Sequence, residues 1–86
     1  MKYRYVVLWD NKEILSGVID AKDKHDARRK VFDIVESKLE IDENALVYWR
    51  IKGSREWLNL DLYVGDMEDV IRLGILENIE IQIMEL

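Results

Sequence analysis

Residues 2–9 place aromatic and aliphatic side chains on both alternating rows: Tyr3, Tyr5, Val7 and Trp9 on one, Val6 and Leu8 on the other. That composition predicts a strand, and two apolar rows predict a central one with both faces partly covered. Asp10-Asn11-Lys12 is a turn signal, and residues 13–21 resume a strand with Ile14, Leu15, Val18 and Ile19, so the first two strands form a hairpin. Asp23 is a helix cap. Behind it Ala27, Val31, Ile34, Val35 and Leu39 recur at helical spacing, which predicts a helix over 24–39. After a polar loop at 40–44, Val47, Trp49 and Ile51 alternate with Tyr48, Arg50 and Lys52 in a strand over 46–52. Residues 53–56 turn the chain. The stretch 57–64 then has strict period two, with Leu58, Leu60, Leu62 and Val64 inward and Trp57, Asn59, Asp61 and Tyr63 outward. Asp66 caps a short second helix, with Asp69 as a weak capping-box partner. That helix carries Val70, Ile71 and Leu73 and ends near Gly74. A last strand over 79–86 puts Ile79, Ile81 and Ile83 on one face.

The predicted order is ββαββαβ in a single domain over residues 1–86. This is an α+β chain whose order is that of a β-grasp: a mixed sheet wrapped on one long helix, with a second short helix. A ferredoxin-like order would need the first hairpin to be one strand, and the Asp10-Asn11-Lys12 turn opposes that. The last strand is expected to be central and beside the first. The expected core is Val31, Ile34, Val35, Leu58, Leu60, Leu62, Val70, Ile75, Ile81 and Ile83.

The C-terminal spacing adds a resemblance. Val70, Leu73, Ile75 and Ile81, with Gly74 and Ile83, and the connecting segment Ile41-Asp42-Glu43-Asn44-Ala45-Leu46, resemble the ubiquitin-like family. The sequence ends Ile83-Met84-Glu85-Leu86 rather than in the Gly-Gly tail needed for conjugation. The resemblance therefore implies a non-conjugated module, similar in size and missing tail to the small ubiquitin-like components of bacterial type VII secretion systems. The hairpin over 46–64 is longer than ubiquitin's, so the family's surface is not carried over there.

Chemistry has little to draw on. The chain has no cysteine, which excludes disulfides and thiolate sites. Its one histidine, His25, opens the long helix, where no nucleophile or ligand set gathers around it in sequence. Asp66, Glu68 and Asp69 are better explained by the helix dipole than by a cation loop. The Arg28-Arg29-Lys30 run fans out at ~100° per residue and reads as a solvated helix surface rather than a phosphate patch. Neither glycine turn has a phosphate-loop pattern. The expectation is a non-enzyme with no catalytic, metal or cofactor site. No apolar run approaches the ~20 residues of a membrane span, and the expected location is cytoplasmic.

Charge and aromatics supply two interaction hypotheses. Net charge is −5, a poor match for a phosphate backbone. Residues 1–53 hold 11 basic and 10 acidic side chains, whereas residues 54–86 hold two and eight. One helix covers only one face of a sheet, so an alternating row of strand aromatics faces solvent or a partner. Trp57, Tyr63, Tyr48 and Arg50 are the expected protein-binding residues, because Trp, Tyr and Arg are enriched at binding hot spots. The leading expectation is thus a non-catalytic adaptor or regulatory module that binds another protein, with no direct nucleic-acid or membrane partner and with a homodimer through an edge strand left open. The alternative is a small acidic phage-type inhibitor that mimics nucleic acid and enters a basic groove of a defence protein, presenting Asp61, Asp66, Glu68, Asp69, Glu77 and Glu80.

Overall fold

The computed structural model describes residues 1–41, 46–53, 57–74 and 76–86, apart from the side chains of Leu46 and Trp57. The expected link over 41–46, the turn at 53–56 and the proposed core residue Ile75 lie wholly or largely outside the described residues. The elements are β1 (Lys2–Trp9), β2 (Lys12–Asp20), α1 (Lys24–Lys38), β3 (Leu46–Gly53), β4 (Trp57–Gly65), α2 (Met67–Leu73) and β5 (Glu77–Glu85). They follow the expected α+β order.

The β1–β2 hairpin closes on Asp10 and Asn11, both at positive φ (52° and 62°). Two consecutive left-handed residues match the strand twist of a two-residue hairpin, which explains why Asp and Asn stand there. Asp23 caps α1 by accepting the N–H of Asp26 at 2.9 Å. Caps of this kind are worth about 1 kcal/mol. The helix buries Ala27, Val31 and Val35 against the sheet, and Ile34 and Leu39 pack half-buried beside them.

The strands form one sheet in the order β2-β1-β5-β4-β3, with β5 central and beside β1 as expected. The sheet is not mixed. Each neighbouring pair, β1/β2, β1/β5, β4/β5 and β3/β4, is antiparallel. The return from β4 to β5 is not a crossover. A parallel neighbour needs a crossover of about a dozen residues or more, whose helix lies over the sheet. The helix that follows β4, α2, has seven residues and contributes no buried residue, so it is not packed over the sheet.

The core lies between α1 and one sheet face. Tyr3, Tyr5 and Val7 of β1, Leu58, Leu60 and Leu62 of β4, and Ile79, Ile81 and Ile83 of β5 are buried there. Val31, Val35, Leu58, Leu60, Leu62, Ile81 and Ile83 thus sit in the core as expected. Two corrections follow. Ile34 is half-buried at the edge of the cluster. Val70 is half-buried and outside the cluster, because α2 lies beyond the end of the sheet instead of on it. The β1 aromatics Tyr3 and Tyr5 are core residues that helical and period-two counting had not selected. On the outward row of β1, Val6 and Leu8 are half-buried and Arg4 is exposed, with no helix packed on that row among the described residues.

Candidate functional site

The uncovered sheet face is set by register. Running across the strands, Tyr48 pairs with Tyr63, which pairs with Asn78; Arg50, Asp61, Glu80 and Leu8 form the next row; Lys52, Asn59, Gln82 and Val6 form the third. At one end the Tyr48 and Tyr63 rings lie 5.9 Å apart at 40°, a tilted aromatic pair, and Tyr48 is 57% exposed. Such pairs contribute about 0.5–1.5 kcal/mol beyond area burial. Tyr63 is half-exposed.

The middle of this face is a polar ladder. Asp61 and Glu80 stand directly opposite, an arrangement of like charges that destabilises a sheet unless it is offset. Arg50 offsets one side, donating from Nη2 to Asp61 Oδ2 at 3.3 Å. Asn59 Nδ2 and Gln82 Nε2 donate to Glu80 Oε1 at 2.7 and 3.2 Å. Asn59 Oδ1 is covered and has no partner among the described residues. Of the expected protein-binding residues, Tyr48, Tyr63 and Arg50 therefore share this face. Trp57 pairs through its backbone with Met84, and its side chain lies outside the described residues.

The expected acidic array does not form one surface. Asp61 and Glu80 belong to the sheet face just described. Asp66, Glu68, Asp69 and Glu77 lie around a separate groove on the helix side. Trp9, Val64 and Ile79 from the ends of β1, β4 and β5 form its floor; Leu39 and Ile41, beyond α1, and Met67 and Leu73 of α2 form its walls. It encloses about 670 Å³. Sequence reasoning had not grouped these residues, because the groove joins four separate stretches of chain.

α2 is held by its ends. Asp66 Oδ1 accepts the N–H groups of Glu68 and Asp69 at 2.8 and 3.4 Å, and Gly74 closes the helix in the left-handed conformation at φ 67°. Its apolar side chains remain in solvent: Ile71 is 78% exposed, Leu73 57% and Met67 55%.

A smaller cleft of about 600 Å³ lies between α1 and Trp49, and exposed His25 lines it with Asp26, Arg28 and Phe32. The basic run above it divides among three partners. Arg28 sits 5.0 Å over the Trp49 ring, Arg29 donates to Asp26 at 2.8 Å, and Lys30 donates to the Asp20 carbonyl at 2.7 Å. The Arg29 guanidinium hydrogen bond holds the Asp26 carboxyl well below the usual carboxylate range, aided by the Lys22 backbone N–H and the Lys30 charge. Among the described residues no group of three or more His, Cys, Asp or Glu side chains is placed to hold a metal ion. No helix among them is long and apolar enough to cross a membrane.

Compared with known proteins, the chain matches no protein-family model, no curated protein and no solved structure.

Proposed function

We propose that the chain is a non-catalytic protein-interaction module, adaptor or regulatory in kind, that docks a partner on the uncovered face of its sheet. The observation that carries the reading is the tilted Tyr48–Tyr63 pair, set across β3 and β4 on a face that neither helix covers. Two rigid aromatic anchors offer large contact area at low entropic cost, and Arg50 beside them is held in place by Asp61. The likeness to untailed ubiquitin-like modules contributes the element order and the central last strand. It does not extend to the strand directions, so the reading rests on the surface rather than on the likeness.

The test is capture by a photo-crosslinking side chain placed at Tyr48, compared with Tyr48→Ala/Tyr63→Ala in a pull-down. Loss of one defined partner, with the variant still folded under the assay conditions and its midpoint lowered by no more than the ring pair accounts for, about 0.5–1.5 kcal/mol, supports the reading. Retained capture with collapsed stability overturns it. The nucleic-acid-mimic reading has less support, because its six carboxylates fall on two different surfaces and Asp61 is neutralised by Arg50. It predicts capture of a nucleic-acid-binding protein that is lost on adding DNA and fades steeply with salt, whereas aromatic docking resists both.

A further inference from the structure

The groove beside α2 combines an apolar interior with a rim of one sign. Its interior is formed by Trp9, Leu39, Ile41, Val64, Leu73 and Ile79. Its polar side chains are all carboxylates, and no Lys, Arg or His lines it among the described residues. Two of those carboxylates are already engaged: Asp66 caps α2, and Asp69 pairs with Arg72 at 3.0 Å. Glu40, Glu68 and Glu77 form no ion pair among the described residues and are exposed.

A neutral small molecule is poorly matched to such a lining, because pockets for small ligands orient them with several kinds of convergent polar group. A phosphate or another acidic ligand is repelled. The fitting occupant is apolar along one side and cationic along its margins. Met67 and Leu73, which wall the groove from α2, are both more than half exposed, so its apolar side lies open along the helix, which suits a segment of chain better than a compact molecule.

We infer that the groove between the end of α1, α2 and the sheet is a docking site for a basic amphipathic peptide segment of a partner protein. Its Leu- or Ile-type side chains enter over Trp9, Val64 and Ile79, and its Lys or Arg side chains meet Glu40, Glu68 and Glu77. This is a second surface, on the opposite layer from the Tyr48–Tyr63 face. It does not depend on that face being used.

The probe is a short synthetic amphipathic peptide of Leu and Lys, with a Leu/Glu peptide of the same pattern as control. Binding is followed by fluorescence anisotropy and by amide shift changes in the intact chain. The expected result is binding of the Leu/Lys peptide with shifts concentrated at Leu39, Ile41, Val64 and Leu73. Affinity should fall about tenfold or more in Glu68→Lys/Glu77→Lys and by a smaller factor in Glu68→Gln/Glu77→Gln, and it should weaken with salt. Leu73→Ala should weaken it without altering the salt dependence. Tyr48→Ala/Tyr63→Ala should leave it unchanged, so failure here is separable from failure of the sheet-face reading. The inference is overturned if the Leu/Glu peptide binds equally well, if charge reversal has no effect, if the shifts spread over the sheet face, or if gel filtration shows two copies of the chain closing the groove on each other.

Discussion

Gly17 lies directly opposite Tyr5 on the packed face of the β1–β2 hairpin, and replacing it with alanine tests both the register and the packing there. A Cβ at Gly17 would stand 2.8 Å from Tyr5 Oη and 3.0 Å from Cε1 and Cζ. The closest of these is 0.6 Å inside the 3.4 Å at which ordinary contact begins. The glycine backbone is not in the left-handed region, so alanine meets no dihedral strain and the effect is one of space. Two terms oppose each other. Restricting the unfolded chain stabilises by about 0.4–1 kcal/mol, and overfilling a packed site costs about 1–3 kcal/mol. The second dominates because Tyr5 is only 7% exposed and its other cross-strand neighbour is Ile83, itself buried, so the ring has no free direction in which to retreat. Gly17→Ala should therefore be less stable by about 0.5–2 kcal/mol, read as a lower urea midpoint or a Tm depressed by ~4–8 °C per kcal/mol. Tyr5→Phe removes the 2.8 Å contact but leaves those at 3.0 Å, so it should relieve the penalty only in part. In a Tyr5→Leu background Gly17→Ala should become neutral or stabilising, a coupling that a double-mutant cycle measures directly. A Gly17→Ala variant at least as stable as the parent, in the parent background, refutes the placement of the ring and with it the β1–β2 register.

Ile81, fully buried between Val7 and Leu60 in the central strand, should cost about 2–5 kcal/mol when cut to alanine. That is a large share of the ~4–13 kcal/mol expected of a domain this size, and a urea midpoint nearly unchanged would contradict its central place. Asp26→Asn should lower stability at neutral pH. The Asp26 carboxyl has its folded value depressed, so its contribution is present above the ordinary ~3.9 of an unfolded aspartate and lost as pH falls through the folded value. Urea midpoints of parent and variant should accordingly converge in acid, and a gap that persists undiminished in strong acid would show that the charge is not its source.

The parts of this fold legible in the sequence are those with a strong local period or a local chemical cause. The alternation in 57–64 identifies Leu58, Leu60 and Leu62 as buried, and Asp23 and Asp66 mark both helix starts, because each signal is set by residues a few positions apart. Tyr3 and Tyr5 were less legible. A strand apolar on both rows does not say which row the helix will cover, and that is decided by α1 packing from another part of the chain. Within the candidate site, Tyr48, Tyr63 and Arg50 were placed together correctly, since pairing β3 with β4 in a hairpin fixes their common face. The acidic residues were not, because summing charge along the chain carries no information about which side of a sheet each residue occupies. Neighbouring positions such as Asp61 and Leu62 face opposite layers.

Strand direction and the groove have one common cause. The β1–β2 hairpin reverses the chain, and α1 carries it to the far edge. At 15 residues the helix is ~22 Å long, enough for the ~19 Å across five strands, and its Phe32 reaches the β3 residue Trp49, with ring centroids 6.4 Å apart. β3 then runs in the direction of β2, and β4, reversing it, in the direction of β1. Everything turns on the step from β4 to β5. Had α2 lain across the sheet as a crossover, β5 would run parallel to both β4 and β1, the sheet would be mixed, and Val70, Ile71 and Leu73 would be covered. The chain instead turns straight back, so β5 enters antiparallel to both neighbours and α2 is left beyond the strand ends with no buried residue. Leu73, together with Met67, then forms one wall of an acid-rimmed groove, while Ile71 stays in solvent. Thus the exposed apolar side chains of α2 are not a packing defect to be explained separately: they go with the same uncrossed connection that leaves β5 antiparallel to β4. A connection lengthened enough to lay α2 over Val64 and Ile79 would remove the groove and its cation preference together.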